Sequence, residues 1–184
     1  MKKLVFMLAA AVAVVSAQAA SVNWTCTNVK DGSGNAINGV AYFINAATLS
    51  QSAFAALSGA DAFNTALSGM YSYTPSEAGK YTIATTAAIA NADLGLSDAT
   101  AYSVYLAIFD TSAITDSSKY YLTEVKDLQT LSGTLTQQIK WGSQSTASQA
   151  SGAWSSVKGD IPEPTSGLLM LIGLAGLALR RKRA

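Results

Sequence analysis

The chain has 184 residues, of which 12% are charged; it contains no histidine and one cysteine, Cys26. Without histidine, Ser-His-Asp and Cys-His nucleophiles, imidazole acid–base chemistry and His-ligated metals are excluded, and a lone cysteine excludes a disulfide within the chain. The net charge of +1 conceals an asymmetry: six of the twelve basic residues lie in the terminal segments while all eleven acids lie between Asp31 and Glu163, which leaves the body near −5. An acidic body whose six lysines are never adjacent argues against nucleic acid as a partner, because that requires clustered Lys and Arg.

The N-terminus reads as an export signal. Met1-Lys2-Lys3 is a positive n-region, Leu4 to Val15 is an apolar stretch, and Ala17-Gln18-Ala19 supplies small residues at the two positions a signal peptidase inspects. Residues 1–19 are therefore expected to pass the Sec translocon and to be removed after Ala19, making Ala20 the first mature residue, with a cut after Ala17 as the alternative.

Residues 20–141 read as one extracellular β-rich domain, without room for a second. Val22, Trp24 and Cys26 alternate with polar neighbours, the pattern of a strand with one apolar face. The turn Asp31 to Asn35 follows and Gly39 to Ala46 reads as a second strand, so the first unit is expected to be a hairpin. Between Ser50 and Met70 the period changes: Phe54/Leu57 and Phe63/Leu67 sit at helical spacing, and Gly59 and Gly69 end each run. Two short helices over a sheet edge or end are expected. Strands resume at Lys80 to Thr86 and at Ala101 to Phe109, the latter apolar on both faces and so expected to be central. Tyr120 to Val125 and Thr134 to Trp141 complete the set. The fold class is thus mainly β, an antiparallel β-sandwich or barrel-like domain with two short helices. Residues 142–160, rich in Ser, Gln, Ala and Gly, read as a linker interrupted only by Trp154, which is expected either to dock on the domain or to rest at a bilayer interface.

The tail 161–184 has three parts: Pro162-Glu163-Pro164, an apolar run 167–179, and the block Arg180, Arg181, Lys182 and Arg183. Charges in that position hold a C-terminus in the cytoplasm. A helix over 167–179 is about 20 Å long against a hydrocarbon core of roughly 30 Å, short for a permanent transmembrane anchor and suited to handling by a membrane enzyme. These residues, in this order, resemble the PEP-CTERM sorting domain. The resemblance implies that an exosortase, a membrane-embedded transpeptidase, recognises the tail. It also implies an inner-membrane intermediate, a final place at the cell surface or in the extracellular matrix, and a Gram-negative-type bacterium that makes exopolysaccharide. It carries no fold or activity for the body.

Other motifs carry less. Ser155-x-x-Lys158 has the spacing of a penicillin-interacting enzyme without its companion elements. Asp31, Ser33 and Asn35 imitate the opening of a calcium loop, yet Ala36 and Tyr42 stand where glycine and glutamate belong. Asn23-Trp24-Thr25 is a formal glycosylation sequon. Asp110, Asp116 and Glu124 are carboxylates around one loop and hairpin, the minimum for glycoside hydrolysis. Tyr71/Tyr73, Tyr102/Tyr105 and Tyr120/Tyr121 are candidate faces for carbohydrate.

The reading is a non-enzymatic structural or adhesive protein that needs no cofactor or metal. A carbohydrate-binding module acting on exopolysaccharide is the alternative, and a small glycan hydrolase the third. Export makes a direct prediction: N-terminal sequencing of the mature protein begins at Ala20, and a mature chain that retains Met1 would refute it.

Overall fold

The computed structural model describes residues 19–159. The signal segment through Gln18, and the tail with Pro162, Glu163, Pro164, the 167–179 helix and Arg180, Arg181, Lys182 and Arg183, lie outside the described residues. Among the described residues, no helix is long and apolar enough to cross a membrane.

Two sheets and a helical layer are built around one long strand. The strands are β1 (Ser21–Thr27), β2 (Ala41–Asn45), β3 (Ser72–Tyr73), β4 (Ile89–Ala90), β5 (Ala101–Phe109), β6 (Lys119–Leu122), β7 (Lys126–Gln129), β8 (Thr136–Ser143) and β9 (Trp154–Ser156). The helices are α1 (Gln51–Ala55), α2 (Ala60–Ala66) and α3 (Ser145–Gln149). The smaller sheet has the order β4-β1-β8 and the larger β3-β2-β5-β6-β9, with β7 pairing the first half of β5.

Along β5, side chains alternate between two cores. Val104, Leu106 and Ile108 face the smaller sheet and pack with Val22, Trp24, Phe43, Ile139 and Trp141. Tyr105, Ala107 and Phe109 point the other way, against Phe54 of α1, Phe63 of α2, Ile44 and Tyr120. All six β5 side chains are fully buried, each large apolar one contributing roughly 1.5–3 kcal/mol. The apolar run on both faces is thus explained by cover on both faces, and β5 is central as its sequence predicts.

The helices form where expected but lie over a face of the larger sheet, not its edge or end, because Phe54 and Phe63 need the aromatic surface of Phe109 and Tyr120, at ring separations of 5.2–6.4 Å. Ser50 caps α1, its hydroxyl accepting from Ala53 N at 3.2 Å. Gly59, with φ of 87°, opens α2 and does not close α1. Its place at the cap without a side chain leaves the first N–H groups of α2 to a distant partner, and Asp116 Oδ1 accepts from Ala60 N at 2.8 Å.

Several expectations are corrected. β1 and β2 are not a hairpin: they belong to different sheets, and between them only an isolated bridge, Lys30 to Ala36, closes the turn. Alternation shows which face of a strand is apolar but not which strand lies beside it. For the same reason the antiparallel rule has an exception, since β1 pairs β8 in parallel, with a bulge between Thr25 and Cys26 that passes over Trp141. The stretch Lys80 to Thr86 buries Tyr81 and Ile83 without becoming a strand; its backbone pairs β1 through an isolated bridge, Trp24 to Ile83, and Thr82 Oγ1 accepts from Cys26 N and donates to Cys26 O. Tyr81 is instead a clamp. Its hydroxyl accepts from Gly39 N at 2.9 Å and donates to Gly39 O at 3.2 Å, at a point where any side chain on residue 39 would strike Phe109 O.

The largest correction concerns residues 142–159, expected as linker. β9 pairs β6 antiparallel, Val157 is fully buried, and Val157 N donates to Ser118 O. Gly59 N donates to Val157 O at 2.8 Å and Ser58 Oγ to Lys158 O at 2.7 Å. Polar composition misleads here because the buried polar groups are paired: Tyr121 donates its hydroxyl proton to Gln144 Oε1, and Ser148 Oγ accepts from Lys30 N while donating to Gln144 O.

Cys26 is fully buried on the inner face of β1, and burial pushes its thiol up to about 12. We therefore expect Cys26→Ala to cost about 1–2 kcal/mol in denaturant unfolding through lost packing. The native thiol should resist a disulfide reagent at pH 8 until the protein unfolds, and immediate labelling would contradict the placement.

Candidate functional site

Of the signal-cleavage residues, Ala17 lies outside the described residues. Ala19 is exposed, whereas Ala20 is buried and its carbonyl accepts from Asn91 N at 2.9 Å. Ala20 is thus held to the domain directly before β1.

The structure disperses most of the sequence-derived chemical candidates. Asp31 organises a turn: Oδ1 accepts from Ser33 N and Asn35 N at 2.9 and 2.8 Å, and Oδ2 accepts from Asn35 Nδ2. Those bonds turn the carboxylate toward its own loop. Asp110 accepts from Lys119 N, Asp116 caps α2, and Glu124 pairs with Lys126 Nζ at 2.6 Å, so the three carboxylates serve separate local structures. Asn23 of the sequon is buried and donates to Thr85 Oγ1. Tyr105, Tyr120 and Tyr121 are buried, while Tyr71 and Tyr73 stand edge-on to Trp24. Tyr102 is half-buried, its hydroxyl accepting from Ser97 N.

A groove of about 520 Å³ gathers residues that sequence reasoning left scattered: Asp31, Ser33, Asp110, Lys119, Gln149 and Trp154. They come from the first turn, from the loop after β5, from the start of β6, from the end of α3 and from β9. Trp154 is half-buried and docked on the domain, one of its two expected places. Its Nε1 donates to Lys30 O at 3.0 Å and to Ser148 O at 2.9 Å, and its ring lies 5.8 Å from that of Tyr121. The one sequence signal for the groove was a tryptophan in a stretch of small polar residues.

A second groove of about 640 Å³ runs past Asn45, Tyr102, Ser103, Asp127 and Gln129. Ser103 Oγ already donates to Asp127 Oδ1 there, and the Tyr102 hydroxyl is bound to Ser97 N. The Trp154 groove has more uncommitted polar groups. Among the described residues, no group of three or more His, Cys, Asp or Glu side chains is placed to hold a metal ion.

Comparison with protein families matches residues 160–183 to the PEP-CTERM protein-sorting motif. The tail is therefore a sorting signal, and it marks an exported, exosortase-sorted chain with membrane association and cell-surface sorting. No curated protein and no solved structure matches the chain.

The rim of the Trp154 groove has a testable pH dependence. Bonds from the backbone and side chain of Asn35, then from Ser33 and Gly34, hold the Asp31 carboxyl below its ordinary 3.8. A depressed carboxyl stabilises the turn above its unfolded pKa, and that contribution is lost as pH falls through the lower folded value. Side-chain NMR should give Asp31 a midpoint below 3.8, with the Ser33 and Asn35 amides shifting in step. A midpoint at or above 3.8 would show that these bonds do not favour the ionised form.

Proposed function

We propose that this protein is a non-enzymatic structural or adhesive component of the cell surface or extracellular matrix of a Gram-negative-type bacterium. The Sec translocon and signal peptidase deliver it, and an exosortase-type transpeptidase then processes its tail. The observation that supports this reading is the sorting motif at 160–183 joined directly to a fully built domain. Val157 and Lys158 are fastened to Ser58, Gly59 and Ser118, and only Asp160 and Ile161 separate Gly159 from Pro162. Three residue steps reach at most about 11 Å, so the motif presents a folded β-domain close to wherever the tail is held. Such a domain suits display better than a long-reaching tether would. Carbohydrate binding is the second reading, and the Trp154 groove favours it.

The tripeptide and the basic block solve different problems. Proline restricts its own backbone and disfavours helix in the residue before it, and this constraint is what alanine at Pro162-Glu163-Pro164 would remove. Replacing all three with alanine is expected to leave insertion intact and stop processing, so that the precursor accumulates in membranes. Neutralising Arg180, Arg181, Lys182 and Arg183 is expected to release unprocessed protein into the soluble exported fraction. Immunoblots of membrane and extracellular fractions read both outcomes, and normal processing of the alanine variant would refute recognition through the tripeptide.

A further inference from the structure

We infer that the groove beside Trp154 binds a neutral saccharide chain. The inference rests on the adhesive reading and names the ligand chemistry through which the domain adheres.

A pyranose ring has an apolar C–H face and a rim of hydroxyls, each both donor and acceptor. Its receptor therefore needs a rigid aromatic surface beside polar groups of both kinds. The groove supplies both. Trp154 cannot rotate without breaking two hydrogen bonds from its Nε1, and Tyr121 lies beside its ring, so the indole is fixed before any ligand arrives. Around it are acceptors and donors left over from folding. Asp110 uses only one carboxylate oxygen, for Lys119 N, and Asp31 Oδ2 accepts a single bond. The Gln149 amide and the Ser33 hydroxyl have no hydrogen-bond partner, and the Lys119 ammonium no ion pair, among the described residues, although all three line the groove. A volume of about 520 Å³ lies within the range of roughly 300–1,000 Å³ typical of small-ligand clefts.

Charge selects the class. Two carboxylates against one ammonium make the groove net negative in a body that is itself near −5, so uronate-rich and sulfated chains are repelled while uncharged hexose chains are not. Carboxylates accepting from hydroxyls are the stronger, charge-assisted kind of hydrogen bond.

The three tryptophans make the test selective. Trp24 and Trp141 are buried at 1% and 4% exposure, so acrylamide quenching of the native protein reports chiefly on half-buried Trp154. The full chain in a zwitterionic detergent is titrated with cellohexaose, maltohexaose and laminarihexaose, and in parallel with an alginate hexamer. The expected result is that at least one neutral hexamer protects Trp154 while alginate does not. Gln149→Ala and Asp110→Asn should each weaken that protection about tenfold with thermal unfolding little changed, because the Gln149 amide has no partner among the described residues and asparagine keeps an oxygen to accept from Lys119 N. Failure of all three neutral hexamers at millimolar concentration, equal protection by alginate, or undiminished affinity in both variants would overturn the inference. If the titration fails while fractionation still shows exosortase-dependent export, the ligand is wrong and the sorting reading stands. A chain that never leaves the cytoplasm removes the reading beneath it.

Discussion

Burial of β5 on both faces is the constraint on which the rest of the structure depends. A strand with Val104, Leu106 and Ile108 on one side and Tyr105, Ala107 and Phe109 on the other cannot leave either side in water. One face takes the smaller sheet through Trp24, Ile139 and Trp141, and the other takes α1 and α2 through Phe54 and Phe63. β1 and β8 cover this strand from the smaller sheet, and β2, β6 and β7 pair with it in its own. Close approach at the end of β5 also explains why Gly39 and Tyr81 act as a unit. The backbone comes too near Phe109 for a side chain, and the Tyr81 hydroxyl satisfies the buried N–H and C=O of the residue that has none.

The last described strand joins the fold to the sorting signal. β9 adds an edge to the larger sheet, Val157 fills the helical core, and the carbonyls of Val157 and Lys158 are held by the residues that separate α1 from α2. The same strand carries Trp154, so the groove and the start of the PEP-CTERM motif are a few residues apart in the chain. A domain sorted by its tail thus carries the Trp154 groove on the strand that leads into the sorting motif.

The fold was partly legible because two kinds of pattern were strong. Period-two alternation located β1 and the two-faced run located β5, while the spacing of Phe54, Phe63 and their neighbours located α1 and α2. What failed was pairing. Nothing in the alternation of Val22, Trp24 and Cys26 indicates that the neighbour is β8, more than a hundred residues away and running parallel. Composition failed too at residues 142–159, because Ser and Gln read as solvated whether or not buried partners wait for them, and Gln144 and Ser148 have such partners. The catalytic reading of Asp110, Asp116 and Glu124 rested on nearness along the chain. Each carboxylate turned out to be tied to a different piece of local backbone or charge.

The amino-acid sequence by itself determined the sorting address, the chemistry that a chain without histidine excludes, and the identity of the central strand, because each depends on residue type and local order alone. Tertiary structure decided the partners of the strands, the incorporation of the Ser-rich segment and the existence of the Trp154 groove. These depend on residues far apart in the chain, Asp31 and Trp154 among them, and only the folded core fixes the distance between them.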